Sequence, residues 1–425
     1  MSFHPLKRKP TTPANLTSPG LSSVRPITLA GVSPKVKPLQ VTTPSPGFLK
    51  TPDGTFRSEL DATQLRKARG WYAANASQYT PAVIRQIQSR LREAVTGRVT
   101  DAFLQAVALW QTNFDLYGAA GRGTSVGKAE YSGYTPTGVL TPEQLSRLFP
   151  SGLAKPTQVA AYATNAEDLI ARWNAIGGYD GRRKALYALL EQQMKAAGVL
   201  MPKLVLSRME DSLLGVYSGK EHSITINSGF LTKANTEQED IRILLQTLYH
   251  EARHAEQNFA IARLMHGTGM TSAAVYTQTG MNMKLVQAAA KKPLRPDTPE
   301  GIVANEWYQS KYGAFAAQRN KDLIAGREVD RTIRTTEEAL TLLRSRRADI
   351  VKKLTTNLPA VEKQRLNTDL ALIDQQSKDL NRLLQQLYVQ SADYNAKYRA
   401  LPGERDAWDV EGAVQAYYLR NLEGK

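Results

Sequence analysis

The chain has 425 residues, 42% apolar and 22% charged, enough for two or three domains with a sizeable core. It contains no cysteine, which excludes disulfides, thiol nucleophiles and thiolate metal ligands, so any metal must be held by histidine and carboxylate. The formal charge of +16 is unevenly spread: residues 1–57 carry eight Lys/Arg against Asp53 alone.

In chain order, residues 1–57 come first. They hold ten of the 21 prolines, in stretches such as TTPSPGFLKTPDG, and little apolar material. Proline removes backbone donors and blocks helix, so this segment is expected to be a disordered basic tail. The opening MSFHPLKRKPTTP lacks an apolar h-region, so no secretory signal peptide is expected. No apolar run reaches the length of a membrane span. No interleaved aromatic and basic pattern suggests a specific nucleic-acid partner.

A short connecting helix is expected over 58–76, then a helical module to Pro150. TPAVIRQIQSRLREA places Thr80 as a cap and Pro81 at the first helical position, with Val83, Ile87 and Leu91 on one stripe. TGRVTDAFLQAVALWQ is a Thr-Gly turn and a helix carrying Phe103, Val107 and Trp110, and TGVLTPEQLSRLF repeats the turn before a third helix. These two pieces resemble the peptidoglycan-binding-like three-helix domain over roughly 70 residues. Thr replaces the Asp of that family before both glycines, and the 17 residues YGAAGRGTSVGKAEYSG look inserted before the second turn. The resemblance implies a compact 58–150 domain that either binds cell wall or serves as a scaffold.

The region 151–425 forms the remaining domain. Two helices are expected in 151–200 around WNAIGGYDG. SLLGVYSGKEHSITINSGFL then changes period, with Val216/Tyr217 and Ile224/Ile226 alternating across SGKEH, so a β-hairpin or edge strand is expected. TKANTEQED gives a capping box, Thr236 with Glu239 three residues on, at the start of the next helix. Short helices are expected near Ser272 and Met283. Residues 327–391 carry the strongest helical pattern. Val329, Ile333, Thr336, Leu340, Leu343, Ile350 and Leu354 alternate by three and four, with an Arg at 347. NLPA breaks the run, and Leu366, Leu370, Ile373, Leu380, Leu384 and Leu387 follow. The pattern predicts an antiparallel αα-hairpin, read as a packed, solvated structural element rather than a partner-binding arm. The fold class expected is α+β, predominantly helical, with a small β-sheet.

The chemistry concentrates in LYHEARHAEQ, residues 248–257. With Leu248 at zero on a helix, Ala252, Ala255 and Phe259 fall within about 40°, while His250 and His254 fall near 200° and 240°. Ile243, Thr247 and Ile261 flank the histidines. Two imidazoles one turn apart on one face can reach one ion, and neutral imidazole suits Zn²⁺. Zn²⁺ lowers the pKa of bound water to about 7, and Glu251 is placed to take that water's proton and pass it to a leaving amine.

His250-Glu-Ala-Arg-His254, preceded by a strand and a linker, resembles the zincin metallopeptidases. The resemblance implies a peptide or peptidoglycan substrate, a strand (HSITINSGFL) beside the active-site helix, and a third protein ligand. Its gluzincin form takes a glutamate from a later helix, often as Glu-x-x-Ala, which Glu404-Arg-Asp-Ala407 matches. Glu404 is the expected third ligand. Asp406 would then orient a histidine, or be the ligand itself; Glu411 is the third candidate. Tyr417 or Tyr418 is a candidate oxyanion donor, and His222 is expected to be structural. The helical hairpin would be an insertion before the third ligand.

The organisation resembles that of a bacterial effector or toxin: made in the cytoplasm, exported or injected without a classical signal peptide, with 1–57 addressing the secretion apparatus. The leading expectation is a zinc metallopeptidase acting as an effector or cell-wall-associated hydrolase. The alternatives are a protease toxin acting on a protein in a target cell, and a non-catalytic adaptor for peptidoglycan or secretion apparatus.

Overall fold

The computed structural model describes residues 49–50, 56–57, 60–113, 134–209, 213–233 and 235–423. It is mostly helical, 73%, with a small three-stranded sheet. The described chain divides into two units, Met1–Tyr308 with Asp406–Lys425, and Gln309–Arg405. The tail expected over 1–57 and the insertion expected at 117–133 lie outside the described residues. The exception is β1 (Leu49–Lys50) and β2 (Phe56–Arg57), which pair antiparallel and so depart from the expectation of disorder.

The first unit opens with four helices. α1 (Ala62–Ala74) is closed by a capping box at Asp61, α2 (Pro81–Leu91) is capped by Thr80, and α3 (Asp101–Asn113) and α4 (Pro142–Leu148) follow. α1 is no mere connector. Its Tyr72 packs edge-on against Tyr79 and Phe103, with centroids 5.3 and 5.5 Å apart, and its hydroxyl receives the Leu140 N–H at 3.1 Å. Gln111, fully buried, donates to Val139 O at 2.8 Å and to Gln144 Oε1 at 3.0 Å, tying α3 to the start of α4. Buried polar groups must find such partners or lose the full cost of leaving water.

α5 (Pro156–Arg172) and α6 (Gly178–Ala197) come next, then β3 (Lys203–Ser207), β4 (Gly215–Ser218) and β5 (Ser223–Asn227). The sheet order is β3-β5-β4. β5 runs parallel to β3 and antiparallel to β4, with Tyr217 opposite Ile224. The β4–β5 hairpin is the one expected from SLLGVYSGKEHSITIN, but β5 is the central strand, and β4 is the edge strand that approaches the motif helix. β3 was not read from the sequence: its partner β5 lies beyond β4 in the chain, so no turn links the two strands directly.

After the turn α7 (Gly229–Thr232), α8 (Gln238–Gly267) runs 30 residues through the unit. The expected capping box is absent: the N-cap is Glu237, with no side-chain bond. Thr236 is instead buried, its N–H held by Asn174 Oδ1 at 3.1 Å and its carbonyl by the Asn174 amide at 3.2 Å. A tertiary clamp replaces the local one, and Glu239 pairs with Arg242 at 3.2 Å. Every residue from Leu244 to Ala262 is buried. The helix is therefore not divided into a core stripe and an open histidine face. Its core stripe continues onto all sides because β4, α5, α6, α9 (Ser272–Thr279) and α10 (Met283–Ala290) pack round it. α11 (Pro299–Lys311) follows, a helix the sequence reading did not separate from the loops.

The second unit is the hairpin, longer than expected: α12 (Ala316–Leu354) and α13 (Ala360–Arg399). Ile333, Leu340, Leu384 and Leu387 form its buried seam, with Val329 and Leu380 against them, all from the predicted heptad positions. The unit boundary at 405/406 falls inside α14 (Pro402–Glu423), so Glu404 rides on the first turn of a helix whose body belongs to the first unit.

Candidate metal centre

His250 and His254 sit one turn apart on α8, exposed by only 2% and 3%. Their Nε2 atoms approach to 3.2 Å. One ligand atom each from His250, His254 and Glu404 lie within 4.8 Å of one another, and this buried group could hold a metal ion.

The partners of the other ring nitrogens fix the tautomers. His250 Nδ1 lies 2.9 Å from Glu411 Oε2, and a carboxylate only accepts, so Nδ1 carries the proton. His254 Nδ1 lies 2.9 Å from Gln257 Oε1. That amide's orientation is set in turn, because Gln257 Nε2 donates to Asp406 Oδ2 at 2.8 Å. Gln257 must therefore present oxygen to His254, and again Nδ1–H donates. In neutral rings both Nε2 atoms then turn lone pairs toward each other. Two lone pairs at that distance repel unless a proton or a metal cation lies between them. Two imidazole ligands on a tetrahedral ion would stand about 3.3 Å apart, given Zn–N bonds of about 2.0–2.1 Å. The donor set therefore fits a cation, and the carboxylate–histidine and amide–histidine contacts are the kind that orient metal ligands.

Glu404, 4% exposed, receives the Tyr398 hydroxyl on Oε2 at 2.5 Å. Glu251, 1% exposed, accepts the backbone N–H of Tyr217 on Oε2 at 2.7 Å, which docks the edge strand β4 on the motif helix. No Cβ would fit comfortably at Gly215, where one would meet Thr247 Cγ2 at 2.8 Å and Glu251 Cγ at 3.3 Å. The glycine is what lets β4 come this close.

A buried ion network supports the centre from behind. Arg253 donates from Nε and Nη2 to Asp406 at 2.7 and 3.2 Å, and from Nη1 to Glu256 at 2.6 Å and Ser151 O at 3.2 Å, with its guanidinium 5.3 Å from the Trp307 ring. Burial opposes the Arg253 charge, yet the two carboxylates overcome it and hold the guanidinium more firmly protonated than usual. Burial pushes Asp406 up, but the facing Arg253 outweighs it and holds the carboxyl below the ordinary aspartate range. For Glu256, which also accepts the Leu153 N–H at 3.0 Å, burial wins and the carboxyl is raised.

The remaining sequence candidates fall as follows. Asp406 is not a ligand: its oxygens are engaged by Arg253 and Gln257, and it reaches His254 only through Gln257. Glu411 contacts Nδ1 of His250, on the opposite side of the ring from Nε2, so it orients rather than joins the group. Trp408 closes over His250 with ring centroids 5.0 Å apart. Tyr418 is buried with its hydroxyl in the field of Glu167 and Arg242, two turns along α8 from His250, and is not brought to the histidines. Tyr417 is half-buried at the adjacent position. His222 sits in the β4–β5 turn in the left-handed region, φ 47°, between the Tyr217 hydroxyl at 3.0 Å and Leu200 O at 3.0 Å. Burial lowers its pKa to about 4. Sequence reasoning missed Arg253, Gln257, Tyr217 and Tyr398. Only Gln257 had a signal, one helical turn beyond His254 on the same face. No family model, curated protein or solved structure matches the chain.

Proposed function

We propose that the protein is a zinc-dependent metallopeptidase, with His250, His254 and Glu404 holding the ion and Glu251 as general base. The observation that carries this is the 3.2 Å approach of the two Nε2 atoms within the buried His250, His254 and Glu404 group, with Glu251 on the same helix. Bound there, zinc would acidify water and polarise a carbonyl. Glu251 would take the proton from water and deliver it to the leaving amine, while the Tyr217 N–H holds that carboxylate against β4. Glu411 and Gln257 keep both Nε2 lone pairs available. The substrate in this reading is a peptide bond in peptidoglycan or in a target-cell protein, and the α2–α4 module, like a peptidoglycan-binding domain in its turns, favours the wall. Export by a signal-independent route, addressed through residues 1–57, belongs to the same reading.

The test is elemental analysis of the full chain purified without chelator, beside Glu251→Gln, His254→Ala and Glu404→Ala. The expected result is close to one zinc in wild type and in Glu251→Gln, and loss in the other two. Hydrolysis of casein or purified peptidoglycan should fall about 10²–10⁴-fold in Glu251→Gln. A metal-free wild type would refute the proposal.

A second reading has its own support. The four residues are buried by 96% or more, so in this conformation no peptide reaches Glu251, as a purely structural ion would require. It predicts zinc in wild type, no hydrolysis, and a Glu251→Gln variant equal to wild type in every assay.

A further inference from the structure

The charge of the helical hairpin is segregated. Outside the tip, over 316–343 and 366–399, nine Lys/Arg face nine Asp/Glu. Many are paired, as in Arg331–Glu328 at 2.9 Å and Lys397–Asp393 at 2.7 Å. Between Arg344 and Arg365 seven Lys/Arg meet only Asp349 and Glu362. Arg347 is bonded to Asp374 at 2.8 Å. The other six, Arg344, Arg346, Lys352, Lys353, Lys363 and Arg365, are exposed and make no ion pair among the described residues. They surround the tip rather than line one groove: on α12 alone Arg344, Arg346 and Lys352 point in directions about 80° to 160° apart. The tip stands at the end of a helix of 39 residues, about 58 Å long at 1.5 Å per residue.

Among these cations the tip shows aliphatic side chains. Val361 is 80% exposed and Val351 40%, and Leu358 lies in the connecting loop. No aromatic residue occurs between Arg344 and Arg365. Bases therefore have no ring to stack on, which disfavours single-stranded nucleic acid. Cations encircling a narrow apolar apex match a surface with negative headgroups above hydrocarbon. We propose that the hairpin tip docks on membrane surfaces rich in anionic phospholipid, its lysines and arginines among the headgroups and Val361 at the acyl boundary. No described helix is long and apolar enough to cross a membrane, so the contact is peripheral. The proposal is independent of the metal reading.

The experiment is flotation of the full chain with vesicles of phosphatidylcholine alone, and with about a third phosphatidylserine, the range of anionic surfaces that attract polybasic segments. Wild type should float only with the anionic vesicles, and release as salt shortens the screening length. Lys352→Glu, Lys353→Glu, Lys363→Glu and Arg365→Glu combined should weaken binding more than about 100-fold, each cation contributing several-fold. Val361→Asp should weaken it several-fold with all cations kept. All five sites are exposed, so helicity by circular dichroism should be unchanged. Wild-type flotation by the fourfold variant would assign the binding to residues 1–57 and overturn the proposal. So would a wild type that ignores vesicles but shifts duplex DNA.

Discussion

Glu411 and Gln257 do the same work on two imidazoles by different chemistry, and the second is the more fragile. A carboxylate cannot donate, so Glu411 fixes the His250 proton outright. Gln257 fixes that of His254 only while Asp406 fixes Gln257. Asp406→Asn presents an amide that can donate, which lets Gln257 turn and offer N–H to His254 Nδ1. The proton then moves to Nε2 and the lone pair is lost. Metal affinity is predicted to fall about 10–100-fold although Asp406 touches no ligand, measurable by zinc titration with histidine nitrogen shifts reporting the tautomer. The same change leaves Arg253 short of a buried partner, at a cost of about 3–5 kcal/mol in chemical denaturation. His222 gives a pH prediction. Its folded pKa, about 4, lies below the usual 6.5, so the unfolded chain takes up the proton first. Its contribution is whole above about 6.5 and is lost as pH falls toward 4, about 3 kcal/mol at most. His222→Asn, which tolerates the left-handed backbone, should flatten stability across that window. The pairing of the histidines on one face, with Glu251 between them, was legible because helical spacing and residue type bear on it, whereas Glu404 came only from the family resemblance. The Arg253–Asp406–Gln257 relay was not, because it depends on which way side chains separated by about 150 residues point.

At the scale of elements, the hairpin was read to its individual seam residues because both arms are local helices with a repeating period. α8 was read for its existence and its motif, but its environment was misjudged: a 3.6-residue stripe says which face is apolar, not whether the opposite face is also covered. The small residues Ala252, Ala255, Ala260 and Ala262 permit close packing all round. The β4–α8 contact depends on one such small residue. Gly215→Ala is predicted to cost about 1–3 kcal/mol, seen as a lower denaturant midpoint with unchanged slope. It should also push the Tyr217 N–H off Glu251, so any hydrolytic activity should fall further than stability alone accounts for.

For the molecule as a whole, the proposed metal has a consequence for stability. A bound ion adds stability by mass action, about 4 kcal/mol when free metal exceeds its dissociation constant a thousandfold. Dialysis against a chelator should lower the melting temperature of wild type and leave that of His254→Ala unmoved. An equal melting temperature with and without chelator would count against any metal at these residues. The Arg253–Asp406 pairing also spans 153 positions of sequence, and the hairpin occupies much of that interval. Its arms lie together at their open end, where Tyr394 Cβ stands 3.3 Å from a Cβ built on Gly326. Once α12 and α13 have zipped, the chain between α11 and α14 behaves as a far shorter tether, and the entropy of closing it drops by roughly 1 kcal/mol. The consequence is kinetic: lengthening the 355–359 loop with a flexible insert should slow refolding of the first unit little, whereas breaking the seam with Leu340→Asp should slow the pairing of Asp406 with Arg253, read by stopped-flow fluorescence.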